Sequence, residues 1–142
     1  MYDPVMVQPM RDEVTRLGMT EMRTADVVVK ELSAPGTAFV FINSVCGCAA
    51  GKARPGLMLA LKHQTRPNRL ASVFAGFDVE ATERARAYFT GRLPSSPSIA
   101  LLQGGKLVYM LERYQIENRS AEQISTELTA AFDRFCGVPI PS

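Results

Sequence analysis

Apolar residues along the chain follow two different spacings, one typical of helices and one typical of buried strands. From Val7 to Leu17 they recur every three or four residues, which predicts an amphipathic helix that Gly18 ends. Thr37–Ser44 is instead almost continuously apolar and rich in β-branched and aromatic residues. A run of this length and composition predicts a strand that is buried on both faces of a sheet.

The rest of the chain continues the alternation of helices and strands. Gly104-Gly105 separates two short β-rich runs and predicts a hairpin, whereas strands joined by crossover helices are expected to be parallel. The other predicted elements are, in order, an edge strand at 19–23, a helix from Thr24 to about Ser33, a helix from about Ala49 to Gln64 that Pro55 kinks or delays, a strand from Leu70 to Ala75, a helix that Asp78 caps and that runs through Phe89, strands from Ser98 to Gln103 and from Lys106 to Leu111, and a helix that begins at Ser120.

Together these elements predict an α/β protein with a mixed central sheet, helices on both faces and an extra N-terminal helix. The chain contains no linker, internal repeat or low-complexity segment, so residues 1–142 are expected to form a single domain. Its length is sufficient for a sizeable core, because 46% of the 142 residues are hydrophobic.

Composition and charge exclude several classes of protein. With 21% charged residues and a formal net charge of +2, the chain is neither disordered by composition nor basic enough to indicate a nucleic acid partner. No apolar run approaches the ~20 residues of a membrane-spanning helix. Met1–Pro4 includes an acid and a proline and lacks the features of a signal peptide. We therefore expect a cytoplasmic protein without a membrane partner.

The inventory of reactive side chains is small. The chain has one histidine and three cysteines, which excludes a cage of several histidines and restricts His-paired catalytic triads. Two of the cysteines, Cys46 and Cys48, are separated by Gly47 alone. In a reducing compartment, such a close pair is more often catalytic or metal-binding than structural.

Cys46-Gly47-Cys48 lies between the predicted buried strand and the start of the next helix. The free N–H groups and partial positive charge of a helix start favour a thiolate, the form of cysteine that attacks disulfides. A Cys-X-Cys disulfide closes a small ring and is expected to be easily reduced, and glycine best adopts the backbone angles required. We predict that Cys46 attacks and that Cys48 resolves the mixed disulfide, with Lys52 and Arg54 as possible sources of positive charge.

Other interpretations of these cysteines are open. They can simply be buried, as free cysteines often are, and Cys136 beside Phe135 is interpreted in that way. Alternatively, Cys46, Cys48, Cys136 and His63 would together make a Cys₃His set of zinc type with unusual spacing. The protein would then be a non-enzymatic metal or iron–sulfur binding protein. A third possibility is an interaction module, since a fold does not fix a function. In the first interpretation, an enzyme that works through Cys46 and Cys48 alone, no cofactor is expected.

Pro97 is the second informative position. In a redox fold with this order of elements, the strand before the hairpin starts beside the cysteine turn, and a proline there is often cis. Pro97 has that place in the order of elements. The alternative is an ordinary loop proline between Ser96 and Ser98.

The sequence resembles the bacilliredoxins, a family of bacterial proteins with a Cys-Gly-Cys site. The similarity extends through nearly the whole chain. It is carried by Val7-Gln8-Pro9-Met10-Arg11, by Asn43-Ser44-Val45-Cys46-Gly47-Cys48-Ala49-Ala50-Gly51 with Ala53-Arg54-Pro55, by Val73-Phe74-Ala75-Gly76, by Tyr88-Phe89-Thr90-Gly91, by Pro94-Ser95-Ser96-Pro97-Ser98 and by Leu128-Thr129-Ala130-Ala131-Phe132-Asp133.

The resemblance implies a thioredoxin-like fold with three α/β/α layers. It also implies thiol–disulfide exchange that removes a low-molecular-weight thiol, such as bacillithiol, from mixed disulfides on proteins, with disulfide isomerase activity as a further expectation. By the same resemblance Cys46 is the nucleophile, Cys48 the resolving cysteine and Pro97 the cis-proline, while Cys136 fits the family pattern without a role. The oligomeric state is left open.

Overall fold

In the computed structural model, which describes residues 3–137, five strands lie side by side in one sheet. They are β1 (Thr20–Glu21), β2 (Thr37–Asn43), β3 (Arg69–Phe74), β4 (Ser98–Gln103) and β5 (Lys106–Leu111). Their order across the sheet is β1-β3-β2-β4-β5. β1, β3 and β2 run parallel, and β4 pairs antiparallel with both β2 and β5. The predicted mixed sheet is confirmed.

Six α-helices cover the two faces of the sheet. They are α1 (Pro4–Thr15), α2 (Ala25–Leu32), α3 (Arg54–Ala60), α4 (Val79–Arg86), α5 (Arg113–Glu117) and α6 (Ala121–Cys136), and a π-helical segment, Ala49–Ala53, leads into α3. One core joins α1, α3 and α6 to the sheet, and the other joins α2 and α4 to its opposite face. The three predicted layers are therefore present. Within residues 3–137, no helix is both long and apolar enough to cross a membrane.

β2 is the best-anchored element, and it leads directly into the cysteine turn. All seven of its residues are buried. Phe39 and Phe41 point into one core and Val40 and Ile42 into the other, as expected of a strand covered on both faces. The Phe39 ring meets that of Phe132 on α6 edge to face, with centroids 5.8 Å apart. Such packing gives the turn after β2 a rigid support.

The structure differs from the sequence prediction mainly at helix ends. The helix predicted from Ala49 to Gln64 begins with the π-helical segment and ends at Ala60. Pro55 explains the irregular start, since a proline inside a continuous α-helix lacks an N–H and clashes with the carbonyl four residues earlier. The helix predicted to run through Phe89 ends at Arg86, and α5 was not predicted at all.

Asp78 is the second difference, because its carboxylate does not cap α4 as predicted. It accepts two hydrogen bonds from the buried guanidinium of Arg11, at 2.9 and 3.0 Å, and one from the backbone N–H of Phe74. The Arg11 Nη1 atom also lies 3.0 Å from Glu21 Oε1. A buried charge requires partners of this kind. The ion pair fastens α1 to β1 and to the start of α4.

Candidate thiol site

The register of the sheet brings three separate segments to one edge. Ile42 of β2 pairs with Ser98 of β4, and Ile99 of β4 pairs with Leu111 of β5. The cysteine turn follows β2, Ser96 and Pro97 immediately precede β4, and Arg113 follows β5. These segments therefore come together beside the end of β2, although they are far apart in the chain.

Cys46 and Cys48 are both free and half-buried, and their sulfur atoms are 2.9 Å apart. Cys48 directly precedes the π-helical segment, and the carbonyl of Cys46 accepts hydrogen bonds from the N–H groups of Ala49 and Ala50. Gly47 does not have a positive φ, and a Cβ there would meet nothing within 4 Å. The dithiol form therefore requires no unusual backbone angles at Gly47; the angles predicted for this glycine are those of the disulfide form.

The pKa of the Cys46 thiol is lowered from its ordinary value. The largest cause is a hydrogen bond from the Cys48 side chain, and partial burial opposes it. Hydrogen bonds from the backbone N–H groups of Cys48 and Ala49 and the positive charge of Arg113 lower the pKa further. Each of these groups favours the thiolate over the thiol, because each donates a hydrogen bond or supplies positive charge.

The pKa of Cys48 is shifted in the opposite direction, to about 11. Burial is the largest cause, followed by the hydrogen bond to Cys46 and the negative charge of the Cys46 thiolate. The charge of Glu117 raises it further, whereas that of Arg113 lowers it. The two thiols titrate together, so the arrangement favours a thiolate on Cys46 and a neutral thiol on Cys48.

Lys52 and Arg54, the cations that the sequence suggests beside the thiols, have other partners. The Lys52 ammonium donates to the backbone carbonyl of Glu117. The Arg54 guanidinium is buried and forms an ion pair with Glu13 of α1. The cation that acts on both sulfur atoms is Arg113, which sequence reasoning missed. No local motif marks it, since only the pairing of β4 with β5 brings it to this edge of the sheet.

Arg54 supports the cysteine turn through its polar contacts. Its Nη1 atom donates to Asn43 Oδ1 at 2.9 Å and to the carbonyl of Ser44 at 3.1 Å. The Ser44 hydroxyl in turn accepts the N–H of Cys46 at 3.1 Å. The Asn43 amide donates to the carbonyl of Met10 on α1. This network links the turn to the N-terminal helix and fixes the backbone that carries Cys46.

The peptide bond between Ser96 and Pro97 is cis. Arg113 Nη1 lies 3.4 Å from the carbonyl oxygen of Ser96, and the Arg113 N–H lies 3.4 Å from the hydroxyl of Ser95. The Ser98 hydroxyl donates to the carbonyl of Ser95 at 3.0 Å. The loop before β4 is thus held against the start of α5.

The remaining cysteine and the histidine are not part of this arrangement. Cys136 is the last residue of α6, where burial raises the pKa of its thiol. His63 Nε2 lies 2.8 Å from the carboxylate of Asp133. Over residues 3–137, no three His, Cys, Asp or Glu side chains form a group able to hold a metal ion. The four residues of the suggested Cys₃His set are therefore not brought together.

Solved structures with a similar fold include thioredoxins. A thioredoxin of Malassezia sympodialis superposes with a TM-score of 0.58 at 10% identity, covering 83% of this chain and 90% of that one. A Fasciola hepatica thioredoxin gives a TM-score of 0.53 at 19% identity, covering 82% and 99%. At such identities the likeness concerns the fold alone. The fold, with a close pair of free thiols after its central strand, defines a protein of thioredoxin-like architecture with a candidate thiol site.

Sequence comparisons give the family. The family model described as "Disulphide isomerase" matches residues 2–136. A bacilliredoxin of Koribacter versatilis is 56% identical over 138 residues, covering 96% of this chain and 95% of that protein. Bacilliredoxins of Geobacillus kaustophilus and Cytophaga hutchinsonii are 50% and 47% identical, again over nearly the whole of both chains. The chain belongs to the bacilliredoxin family.

Proposed function

We propose that this protein transfers a low-molecular-weight thiol from mixed disulfides on other proteins to its own Cys46. Two free thiols whose sulfur atoms lie 2.9 Å apart, directly after the buried strand β2, carry the proposal, and the opposite directions of their pKa shifts agree with it. Cys46 is held ready as a thiolate nucleophile, and Cys48 keeps its proton until the second step. Membership of the bacilliredoxin family supports a small thiol of the bacillithiol type, and we propose that the protein acts in the cytoplasm.

In the first step, the Cys46 thiolate attacks the small-thiol sulfur of the mixed disulfide. A new disulfide forms between Cys46 and the small thiol, the old disulfide breaks, and the target protein leaves as a thiolate. No electron is gained or lost overall, because one disulfide replaces another. Attack at this sulfur leaves the smaller group on Cys46 and returns the target to its reduced form.

The second step removes the small thiol from Cys46 by one of two routes. In one, Cys48 attacks Cys46, releases the small thiol and leaves a Cys46–Cys48 disulfide that an external reductant must reduce. In the other, a second small thiolate attacks the sulfur of the small thiol bound to Cys46. The bond between that sulfur and Cys46 breaks, the two small thiols leave as a symmetrical disulfide, and Cys46 returns to the thiolate. The charge of Cys46 and its hydrogen bond, which raise the pKa of Cys48, are lost once Cys46 is in a mixed disulfide. Cys48 therefore becomes easier to deprotonate when it is needed.

The register of the sheet supports a role of Pro97 beside the thiols. Ile42 pairs with Ser98, so Pro97 precedes β4 close to where β2 leads into the cysteine turn. We propose that this loop accommodates the backbone of the target protein. A groove of about 420 Å³ borders the loop, and the exposed side chains of Leu93 and Tyr114 contribute to its walls. Disulfide isomerase activity would use the same attack by Cys46 on a protein disulfide.

Release of the small thiol from a protein mixed disulfide tests this function. The unmodified protein should release it rapidly, and Cys46→Ser should abolish release. Cys48→Ser should still attack and should accumulate the small thiol on Cys46 when no second thiol is added. Cys136→Ser is the matched control, since it removes a thiol outside the site and should leave the rate unchanged. Substantial release by the Cys46→Ser protein would defeat the proposal.

A further inference from the structure

Arg113 occupies a distinctive position at the edge of the thiol site. It is the first residue of α5, and the pairing of Ile99 with Leu111 brings it beside the loop that precedes β4. Its guanidinium reaches the carbonyl oxygen of Ser96, next to the cis peptide, at 3.4 Å. Its Nε atom donates to Glu117 Oε1 at 2.7 Å, one turn later on the same helix. Both side chains are about half exposed.

Glu117 also connects α5 to the helix that starts at the cysteines. The Lys52 ammonium, in the π-helical segment that follows Cys48, donates to the backbone carbonyl of Glu117. α5 packs on this segment. An isolated ion pair on an exposed five-residue helix would add little to stability. Here, however, both ends of the helix are held near the thiol site, the first by the contact of Arg113 with Ser96 and the last by the contact of Lys52 with Glu117.

We propose that Arg113 and Glu117 form a charge pair that separates the two thiols into an attacking and a resolving one. Arg113 supplies the positive charge that stabilises the Cys46 thiolate, and Glu117 keeps negative charge close to Cys48, so that Cys48 retains its proton. The inference rests on the proposed function and adds to it the residues that set the order of reaction.

The other charged groups around the thiols do not take this part. Lys52 donates to a backbone carbonyl, and the buried Arg54 forms an ion pair with Glu13. Among the described residues, Arg113 is the cation that favours a thiolate at both sulfur atoms. Glu117 opposes it at Cys48.

The test measures alkylation of a single cysteine by iodoacetamide, a neutral reagent whose approach is not steered by charge. In a Cys48→Ser, Cys136→Ser background, only Cys46 reacts. Adding Arg113→Gln should slow the reaction roughly twofold to fivefold near neutral pH at low salt. Arg113→Lys should keep most of the rate. Arg84→Gln is the matched control, because it removes the same charge on the opposite face of the sheet, where Arg84 stacks on the ring of Tyr88.

Two further measurements distinguish an electrostatic effect of these substitutions from a structural one. In about 1 M salt, the difference between the Arg113→Gln protein and its parent should largely disappear, because the Debye length falls to ~3 Å. In a Cys46→Ser, Cys136→Ser background, Glu117→Gln should speed the alkylation of Cys48. A structural disturbance would persist in high salt and would not be rescued by lysine.

The inference is overturned if Cys46 of the Arg113→Gln protein is alkylated as fast as in its parent at low salt, or if the decrease in rate persists in high salt. It is also overturned if Glu117→Gln leaves the alkylation rate of Cys48 unchanged. The proposed function fails on a different observation, namely that the unmodified protein releases no small thiol from a mixed disulfide. If the substitutions leave the alkylation rates unchanged in a protein that still releases the small thiol, the role of Arg113 and Glu117 is excluded and the proposed function is not affected.

Discussion

At the scale of single residues, the chemistry depends on the contact between two sulfur atoms. The hydrogen bond from Cys48 is the largest cause of the lowered pKa of Cys46, ahead of the backbone amides and of Arg113. A hydrogen bond to an ionised acceptor is stronger than one between neutral groups, so it stabilises the thiolate in particular. In the proposed mechanism, the second cysteine therefore contributes to the first step as well as to the second.

This contact predicts different effects for two substitutions of Cys48. Cys48→Ala removes the donor and should raise the pKa of Cys46, so that its alkylation rate reaches half-maximum at a higher pH. Cys48→Ser keeps a hydroxyl donor at the same place and should raise the pKa less. The measurement is the pH dependence of Cys46 alkylation in a Cys136→Ser background. Equal midpoints for the alanine and serine variants would show that the side chain at position 48 does not donate to Cys46.

The same scale shows how much of the site could be predicted from the sequence. The motif and its place after a buried strand indicate Cys46 and Cys48, and the order of elements indicates Pro97. Closeness in sequence indicates Lys52 and Arg54 only as possible sources of positive charge, and each contacts another group. Arg113 could not be predicted, since its place depends on strand register, which the local pattern of residues does not specify.

At the scale of elements, strong periodicity predicts well and short or irregular segments do not. β2 and α6 were predicted because one is continuously apolar and the other has an apolar stripe and a capping box, with Ser120 accepting the N–H of Gln123. α5 was missed because five residues with one buried side chain, Ile116, give no periodic signal. The sequence signalled an irregularity at Pro55, but the π-helical form of the turn depends on packing.

The contact between α3 and α6 holds the helix that follows the cysteines. At Gly56 an added Cβ would lie 2.8 Å from the Cγ2 atom of Ile124 and 3.2 Å from the carbonyl of Ala121. Gly56→Ala should therefore separate the two helices and lower the free energy of unfolding by about 1–3 kcal/mol. Denaturant unfolding measures this change.

Gly51, in the π-helical segment, is the matched control for Gly56. A Cβ there would meet nothing within 4 Å, and its φ is not positive. Gly51→Ala should leave stability unchanged or raise it by up to about 1 kcal/mol, because alanine restricts the unfolded chain. If Gly56→Ala were as stable as Gly51→Ala, the close helix contact would be contradicted.

At the scale of the whole molecule, the N-terminal helix is part of the structure that supports the site. Through Glu13 and Met10, α1 contacts Arg54 and Asn43, which flank the cysteine turn. Through the buried Arg11, it contacts β1 and the start of α4. The thioredoxin-like class of the fold could be predicted from the alternation of elements and the resemblance to the bacilliredoxins. The buried ion pairs could not, because amphipathic periodicity does not distinguish a buried arginine from a solvated one.

Arg11 and Arg23 provide a matched test of this support. Both contact Glu21, but Arg11 is buried with Asp78 whereas the Arg23 side chain is 53% exposed. Arg11→Ala leaves the carboxylate of Asp78 buried without its cation and should cost about 3–5 kcal/mol of unfolding free energy. Arg23→Ala should cost at most about 1 kcal/mol. Thermal and denaturant unfolding compare the two variants. Similar losses of unfolding free energy would contradict a stabilising role of the buried Arg11–Asp78 pair.

The measurement that tests the central claim most directly is the location of the transferred thiol. The Cys48→Ser protein is mixed with a target that carries a small thiol in a mixed disulfide, and peptide mass spectrometry then identifies the modified residue. The account predicts the small thiol on Cys46, in an amount equal to the free target thiol that appears. The small thiol on Cys136, or a target freed without any adduct on Cys46, would contradict it.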